Sequence, residues 1–231
     1  MKNIITLFTL LMSLSTFAQN QTESWYKIGN ERFSGYFHYA IQEDSISINT
    51  SLNFKFKIEK DLLYYDAKLI NSKDSFLTVK SFFIKGTTDD LPNPDEFTIS
   101  GTVDSTEEFL SWKVDGDKEF KTKQATIADW NLFYVLTTLD YSKKGIILEF
   151  NSIEISELNY EENRYLEYVA DERILINNKE VLAKKITNTG EGIVGSTYWL
   201  DAENRLVKIS IDNRKNYILC NKEDIDFEKY K

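Results

Sequence analysis

Residues 126–145 read TIADWNLFYVLTTLDYSKKG, and they break the pattern of the rest of the chain. Ile127, Trp130, Phe133, Tyr134 and Leu136 recur at intervals of three or four, the spacing that lines one face of a helix. Thr126 or Asp129 stands near the start, and Lys143, Lys144 and Gly145 stand at the end, as helix termini prefer. Leu132 and Val135 make the segment apolar almost all round, and a helix of that kind is buried. The spacing therefore predicts one buried helix over about 127–139.

The remainder reads as strands. FSGYFHYAIQ, SISINTSLNFKFKIE, LLYYDAKLI and SFLTVKSFFIK follow one another with short polar breaks, as in an antiparallel meander. In the second of these, Ile46, Ile48, Leu52, Phe54, Phe56 and Ile58 hold the even positions. That alternation marks a half-buried strand whose single even-numbered polar residue is Thr50. Turn chemistry agrees. Asp115-Gly116 between two strand-like runs predicts a type I′ hairpin, and Asn177-Asn178 a weaker version of the same turn. In STYWLDAENRLVKIS, residues 196–210, Asp201 to Asn204 reverse the chain, so Asp201 is read as a turn former rather than a catalytic acid. With only two prolines and nine glycines there is no linker, and residues 19–231 are expected to form a single β-rich domain. The fold class is mainly β, a strongly curved antiparallel sheet or half-barrel wrapped around the one helix, whose side chains fill the concave side.

The first residues, MKNIITLFTLLMSLSTFAQN, carry one charge at Lys2, an apolar run from Ile4 to Leu14, and small residues at Thr16 and Ala18. This is the form of a secretory signal peptide over residues 1–18, with the mature chain starting at Gln19. The apolar run is shorter than the roughly 20 residues that cross a bilayer, so no transmembrane span is expected after cleavage. The lone cysteine, Cys220, is far from the cleavage point, so no lipid anchor is expected there and no internal disulfide can close. The expected location is therefore periplasmic or extracellular, in soluble form. With 28 basic against 37 acidic side chains the formal charge is −9. A surface of that sign lacks the basic footprint that nucleic acids and anionic headgroups require.

The order ADWNLFYVLTTLD, NNKEVLAKKITNT and GSTYWLDAENRLVKIS resembles a family of exported bacterial proteins of unknown function. The likeness covers roughly Thr126 to Cys220. It is carried by a short Asp-led helix (Asp129, Leu132, Tyr134, Leu136), by Lys185-Ile186 at a strand end, and by the W-L-D-x-x-x-R-L-V-K hairpin from Trp199 through Asp201 and Arg205 to Lys208. The resemblance implies a mostly antiparallel, barrel-like or half-barrel fold in the cell envelope and implies no catalytic residues. A looser similarity of architecture connects it to envelope lipoprotein carriers.

Chemistry is sparse in this sequence. His38 is the only histidine, set among aromatics in GYFHYAI, and there is no G-x-S-x-G elbow, so no nucleophile triad is expected. Cys220 has no activating cation in a tight motif. One His and one Cys exclude a zinc site, and neither DGD nor TTDDLPNPDE follows an EF-hand spacing, so no metal or other cofactor is expected. TGEGIVG has no following Lys and reads as a hairpin or bulge. Glu154, Glu157, Glu161, Glu162 and Glu167 are numerous enough for a carboxylate pair, yet their spacing reads as outward strand positions and a polar turn. What remains is the aromatic load of 4 Trp, 13 Tyr and 15 Phe. Trp112, Trp130, Phe133, Tyr134, Tyr198 and Trp199 are the candidates for lining a ligand cavity. The leading expectation is a non-catalytic scaffold that binds an apolar or amphipathic small molecule, or an envelope protein. The rivals are a glycan-directed hydrolase using paired carboxylates and a structural or assembly factor of the envelope.

Overall fold

The computed structural model describes residues 20–29, 33–58, 61–88, 94–116, 118–190, 195–211 and 215–231. The expected leader at 1–18, residues 191–194 of TGEGIVG and residues 89–93 of the DDLPNPDE segment lie outside them.

Alternating apolar positions produce eight antiparallel strands in succession. These are β1 (Asn20–Gly29), β2 (Phe33–Glu43), β3 (Ile48–Ile58), β4 (Asp61–Asn71), β5 (Val79–Thr87), β6 (Glu96–Ser105), β7 (Phe109–Val114) and β8 (Lys118–Lys123). In β3 the even residues Ile48, Thr50 and Leu52 are buried, as the period of two requires. The strand starts later than expected, because Asp44 accepts the backbone N–H groups of Ile46 and Ser47 at 2.8 and 2.7 Å. That Asx turn holds the chain out of the ladder and leaves Ile46 77% exposed.

A second series follows: β9 (Thr126–Ala128), helix α1 (Leu132–Thr138), β10 (Gly145–Glu154), β11 (Asn159–Ile176), β12 (Lys179–Gly190), β13 (Ser196–Leu200), β14 (Leu206–Ile211) and β15 (Lys215–Cys220). The two series meet where β15 pairs antiparallel with β1, Trp25 opposite Cys220 and Gly29 opposite Asn216. One 15-stranded sheet results, in the order β8-β7-β6-β5-β4-β3-β2-β1-β15-β14-β13-β12-β11-β10-β9. Its edge strands are consecutive in sequence, and the link between them is tied down. The Asn151 N–H donates to the Ala125 carbonyl at 2.9 Å, and the Lys123 N–H donates to the Tyr160 hydroxyl at 3.2 Å. The sheet is thereby curled almost closed around the helix. Antiparallel pairing holds throughout except between β9 and β10, which run parallel with Thr126 opposite Asn151.

The helix is shorter than the predicted 127–139. Ile127 and Ala128 pair with Ser152 and Ile153 of β10, so the sheet takes the first residues of the segment. Asn131, not Thr126 or Asp129, precedes the first helical residue. At the other end Leu139 is extended, and the Thr137 and Thr138 hydroxyls each donate at 2.8 Å to the carbonyls of Tyr134 and Val135. Lys143 and Lys144 lie beyond the helix, and Gly145 opens β10 with φ of 113°. The burial itself is as expected. Leu132, Val135 and Leu136 are buried, and the Phe133 ring meets Phe37, Tyr39 and Tyr198 at centroid distances of 5.5, 5.7 and 6.3 Å. Each such side chain contributes about 1.5–3 kcal/mol by leaving water.

The entry to α1 is fixed by a buried polar network. Asn131 is fully buried, and its amide donates to Asn71 Oδ1 at 2.8 Å and to the Leu77 carbonyl at 3.0 Å. Its Oδ1 accepts from the Thr50 hydroxyl at 3.0 Å, while the Asn71 amide donates to the Ile48 carbonyl at 2.9 Å and to Thr50 Oγ1 at 3.0 Å. Thr50, the polar exception in β3, joins Asn71 of β4 in tying the sheet to the helix.

Two turns follow their sequence and one departs from it. Asn177 and Asn178 both take positive φ, 49° and 63°, and join Ile176 directly to Lys179 as a two-residue hairpin. Asp201 is buried and binds the N–H groups of Glu203 and Arg205 at 3.0 and 2.9 Å and the Arg205 guanidinium at 2.7 Å, which is the work of a turn former. The Asp115-Gly116 turn is not the predicted type I′. Val114 pairs with Lys118, so the loop holds three residues, and of the expected pair only Gly116, at φ 86°, takes a positive φ.

Candidate functional site

A cavity of about 950 Å³ opens on the concave side beside the helix. One wall is aromatic and comes from β2 to β6 and the helix. Tyr65 meets Trp130 edge to face at 4.7 Å and Phe97 at 5.9 Å, with Phe54 and Phe56 packed next to each other. The charged part of the lining comes from the residue after β9, from β10, from the turn that follows it and from β11: Asp129, Glu154, Glu157, Glu161 and Arg164.

Arg164 organises the charged wall. It is 8% exposed, and its Nη1 donates to Glu161 Oε2 and to Ser152 Oγ, both at 2.9 Å, while its Nε donates to Asn188 Oδ1 at 3.3 Å. Asp129 Oδ1 lies 3.8 Å from the same Nη1. Glu161 and Arg164 are three apart, a spacing that would put them on opposite faces of a regular strand. An irregularity between Phe150 and Ser152 resolves this: Phe150 faces Arg164 but Ser152 faces Glu161, and Asn163 between them takes φ of 57°. The extra residue in β11 turns both side chains inward. The expectation that Glu161 points outward is therefore corrected, and Glu154 at the end of β10 also lines the cavity, whereas Glu157 lies exposed in the polar turn before β11, as its spacing predicts, and Glu162 points out and ion-pairs with Lys123.

Burial raises the two central acids. Asp129 is pushed up to about 6, chiefly by desolvation and further by Glu161, with the Arg164 guanidinium opposing. Glu154 is pushed up to about 7 by desolvation and by the neighbouring Asp129 and Glu157. Asp129 is enclosed by the sheet, yet 38% of its side-chain surface is accessible, so cavity solvent moderates the penalty. The Tyr65 hydroxyl, beside Ser156 and these acids, is buried without a hydrogen bond of normal geometry and stays protonated well above its usual range.

These shifts set a stability prediction. Both carboxyls hold protons more tightly in the folded chain than their ordinary values of 3.8 and 4.5 allow in the unfolded one. Folding therefore takes up protons between about pH 4 and 7, and stability falls as pH rises through that window. The double variant Asp129→Asn, Glu154→Gln is expected to gain about 1 kcal/mol per site at pH 8, allowing for the exposure of the cavity wall, and to lose this part of the pH dependence. Thermal melts at pH 4, 6 and 8 check it, and parallel profiles for variant and parent would contradict the raised values.

Of the six aromatic candidates, Trp130, Phe133 and Tyr198 line the cavity and Trp112, Tyr134 and Trp199 do not. Trp112 is packed in the core, stacked on Phe120 at 5.7 Å with its indole N–H on Thr122 Oγ1 at 2.9 Å. Tyr134 is half-buried, rotated one helix position from Phe133 and under the influence of Glu43 and Lys73. Trp199 follows Tyr198 in β13, so the period of two sends it to the other face, where it packs with Ile176, Ala183 and Val207 beneath Lys208. His38 is also on that outer side, stacked on Trp25 at 3.9 Å with Glu23 at 3.5 Å, and its pKa is lowered by burial. Cys220 is half-buried in β15 beside Trp25. Among the described residues no three His, Cys, Asp or Glu side chains are grouped to hold a metal ion, and no helix is long and apolar enough to cross a membrane. Comparison with protein-family models, with characterised proteins and with solved structures found no match to this chain.

Proposed function

We propose that this protein is an exported scaffold of the bacterial envelope that binds an amphipathic molecule between the helix and the sheet. The observation that carries this reading is the cavity of about 950 Å³ lined by both aromatic rings and a cluster of charged side chains. That volume is at the upper end of small-molecule sites, which join apolar walls to a few placed polar groups. The leader-like residues 1–18 and the resemblance of Thr126 to Cys220 to exported proteins support the envelope location. Binding is the main role, because the aromatic rings offer area and the polar groups offer orientation. Mass spectrometry of lipid extracts from the purified chain, together with uptake of an environment-sensitive naphthylamine dye, tests it. Retention of an amphiphile and dye uptake blocked by Ile99→Trp, which fills the space with a ring, are expected. An empty extract with no dye uptake would overturn the reading.

A second reading, a glycan hydrolase, is favoured by one feature: two desolvated acids share a cleft with aromatic rings, as a general acid held protonated near neutral pH requires. It predicts release of reducing ends from envelope glycan that Glu154→Gln abolishes.

A further inference from the structure

We infer that the molecule bound in the cavity carries a cationic head group, an alkylated or quaternary ammonium on an apolar body, seated between the acids and the rings of Trp130 and Tyr65. This rests on the binding reading above. Among the described lining residues Arg164 is the only cation, against Asp129, Glu154, Glu157 and Glu161. Its guanidinium is already spent on Glu161, Ser152 and Asn188, so it has little left for an anionic head group. An anion would meet the remaining carboxylates in a poorly solvated space, where like charges cost most. A cation meets them favourably and also gains the ring faces: Trp130 follows Asp129 directly, and Tyr65 is 4.7 Å from Trp130 and lies close to Glu154. Tyr65 and Trp130 beside the acids suit the charged head, and apolar side chains such as Leu52, Ile99 and Ile211 in the same lining suit the apolar body.

The titrating partners define how binding responds to pH. Glu157 from the turn after β10, and Glu161 and Arg164 from β11, face Asp129 and Glu154. Tyr65 faces them from β4 and Tyr198 faces Asp129 from β13, and burial keeps both hydroxyls protonated past neutrality. Between pH 5 and 8 Asp129 and Glu154 are therefore the groups that change charge. A bound cation favours their ionised forms, so its binding releases protons and tightens as pH rises.

Calorimetric titration of the purified chain with decyltrimethylammonium, decyl sulfate and neutral monodecanoylglycerol, each below its micelle concentration, tests the inference. At pH 8 the ammonium compound is expected to bind at least about tenfold more tightly than the sulfate, and to weaken about tenfold at pH 5. Glu154→Gln should lower its affinity about tenfold while leaving the neutral compound unchanged. If that variant does not fold, Glu157→Gln at the exposed rim gives the same comparison. Equal or tighter binding of the neutral or sulfate compound overturns the cationic head group and leaves the binding reading standing. Failure of all three to bind overturns both.

Discussion

Replacing Asn131 by Ala is expected to destabilise the protein by about 3–5 kcal/mol, a large share of the stability of any domain of this size. The deletion removes three hydrogen bonds and leaves the Leu77 carbonyl and Asn71 Oδ1 buried without their donor. Each stranded group costs roughly 1–3 kcal/mol. The same change frees the start of α1, which makes no side-chain cap of its own. Urea unfolding followed by Trp fluorescence should show the midpoint falling with the slope preserved. Thr50→Val should cost less, about 1–2 kcal/mol, because the hydroxyl that leaves donates to Asn131 and accepts from the Asn71 amide, but that amide keeps the Ile48 carbonyl and a methyl fills the place. A loss below about 1 kcal/mol for Asn131→Ala would show that the network is not what seats the helix.

Arg164→Met is the second large effect, about 3–5 kcal/mol at pH 8. Removing one member of a buried charge group leaves the others unpaired, here Glu161 at 2.9 Å and Asp129 at 3.8 Å. The size should depend on pH. Without the guanidinium the Asp129 carboxyl rises above its present value of about 6 and becomes neutral in mildly acidic solution, so the loss should shrink toward pH 5. Urea midpoints of variant and parent at pH 5 and 8 measure this. Adding Glu161→Gln should recover part of the loss at pH 8, the sign of a coupled pair. A loss that is equal at both pH values and unrelieved by the second change would place Arg164 in packing alone.

Thr126–Gly145 shows how far periodicity reaches. The spacing of Phe133 and Leu136 was enough to find a helix and to bury it, but Ile127 fits a helical face and a strand equally well. Only the partner residues Ser152 and Ile153, distant in sequence, decide for the strand. Thr50 was visible as an exception in β3, whereas its bond to Asn131 depends on how two separate segments meet. The charged wall was hidden for a sharper reason. A strict two-residue alternation assigns Glu161 and Arg164 to opposite faces, and one extra residue near Asn163 reverses the answer without leaving a glycine or proline to mark it. The same alternation, applied to Tyr198 and Trp199, would have separated the inward ring from the outward one.

The pairing of β1 with β15 sets a condition on how the molecule can assemble. Trp25 waits for Cys220, so the seam that unites the two meanders has to span nearly the entire described chain before it forms. Local hairpins such as the one at Asn177-Asn178 close early, but the seam carries a long loop-closure delay, which slows folding in sheets of this kind. Until it forms, two strand edges stand open side by side and invite strangers, and whatever shields a nascent chain during that interval matters to its fate as much as the finished sheet does.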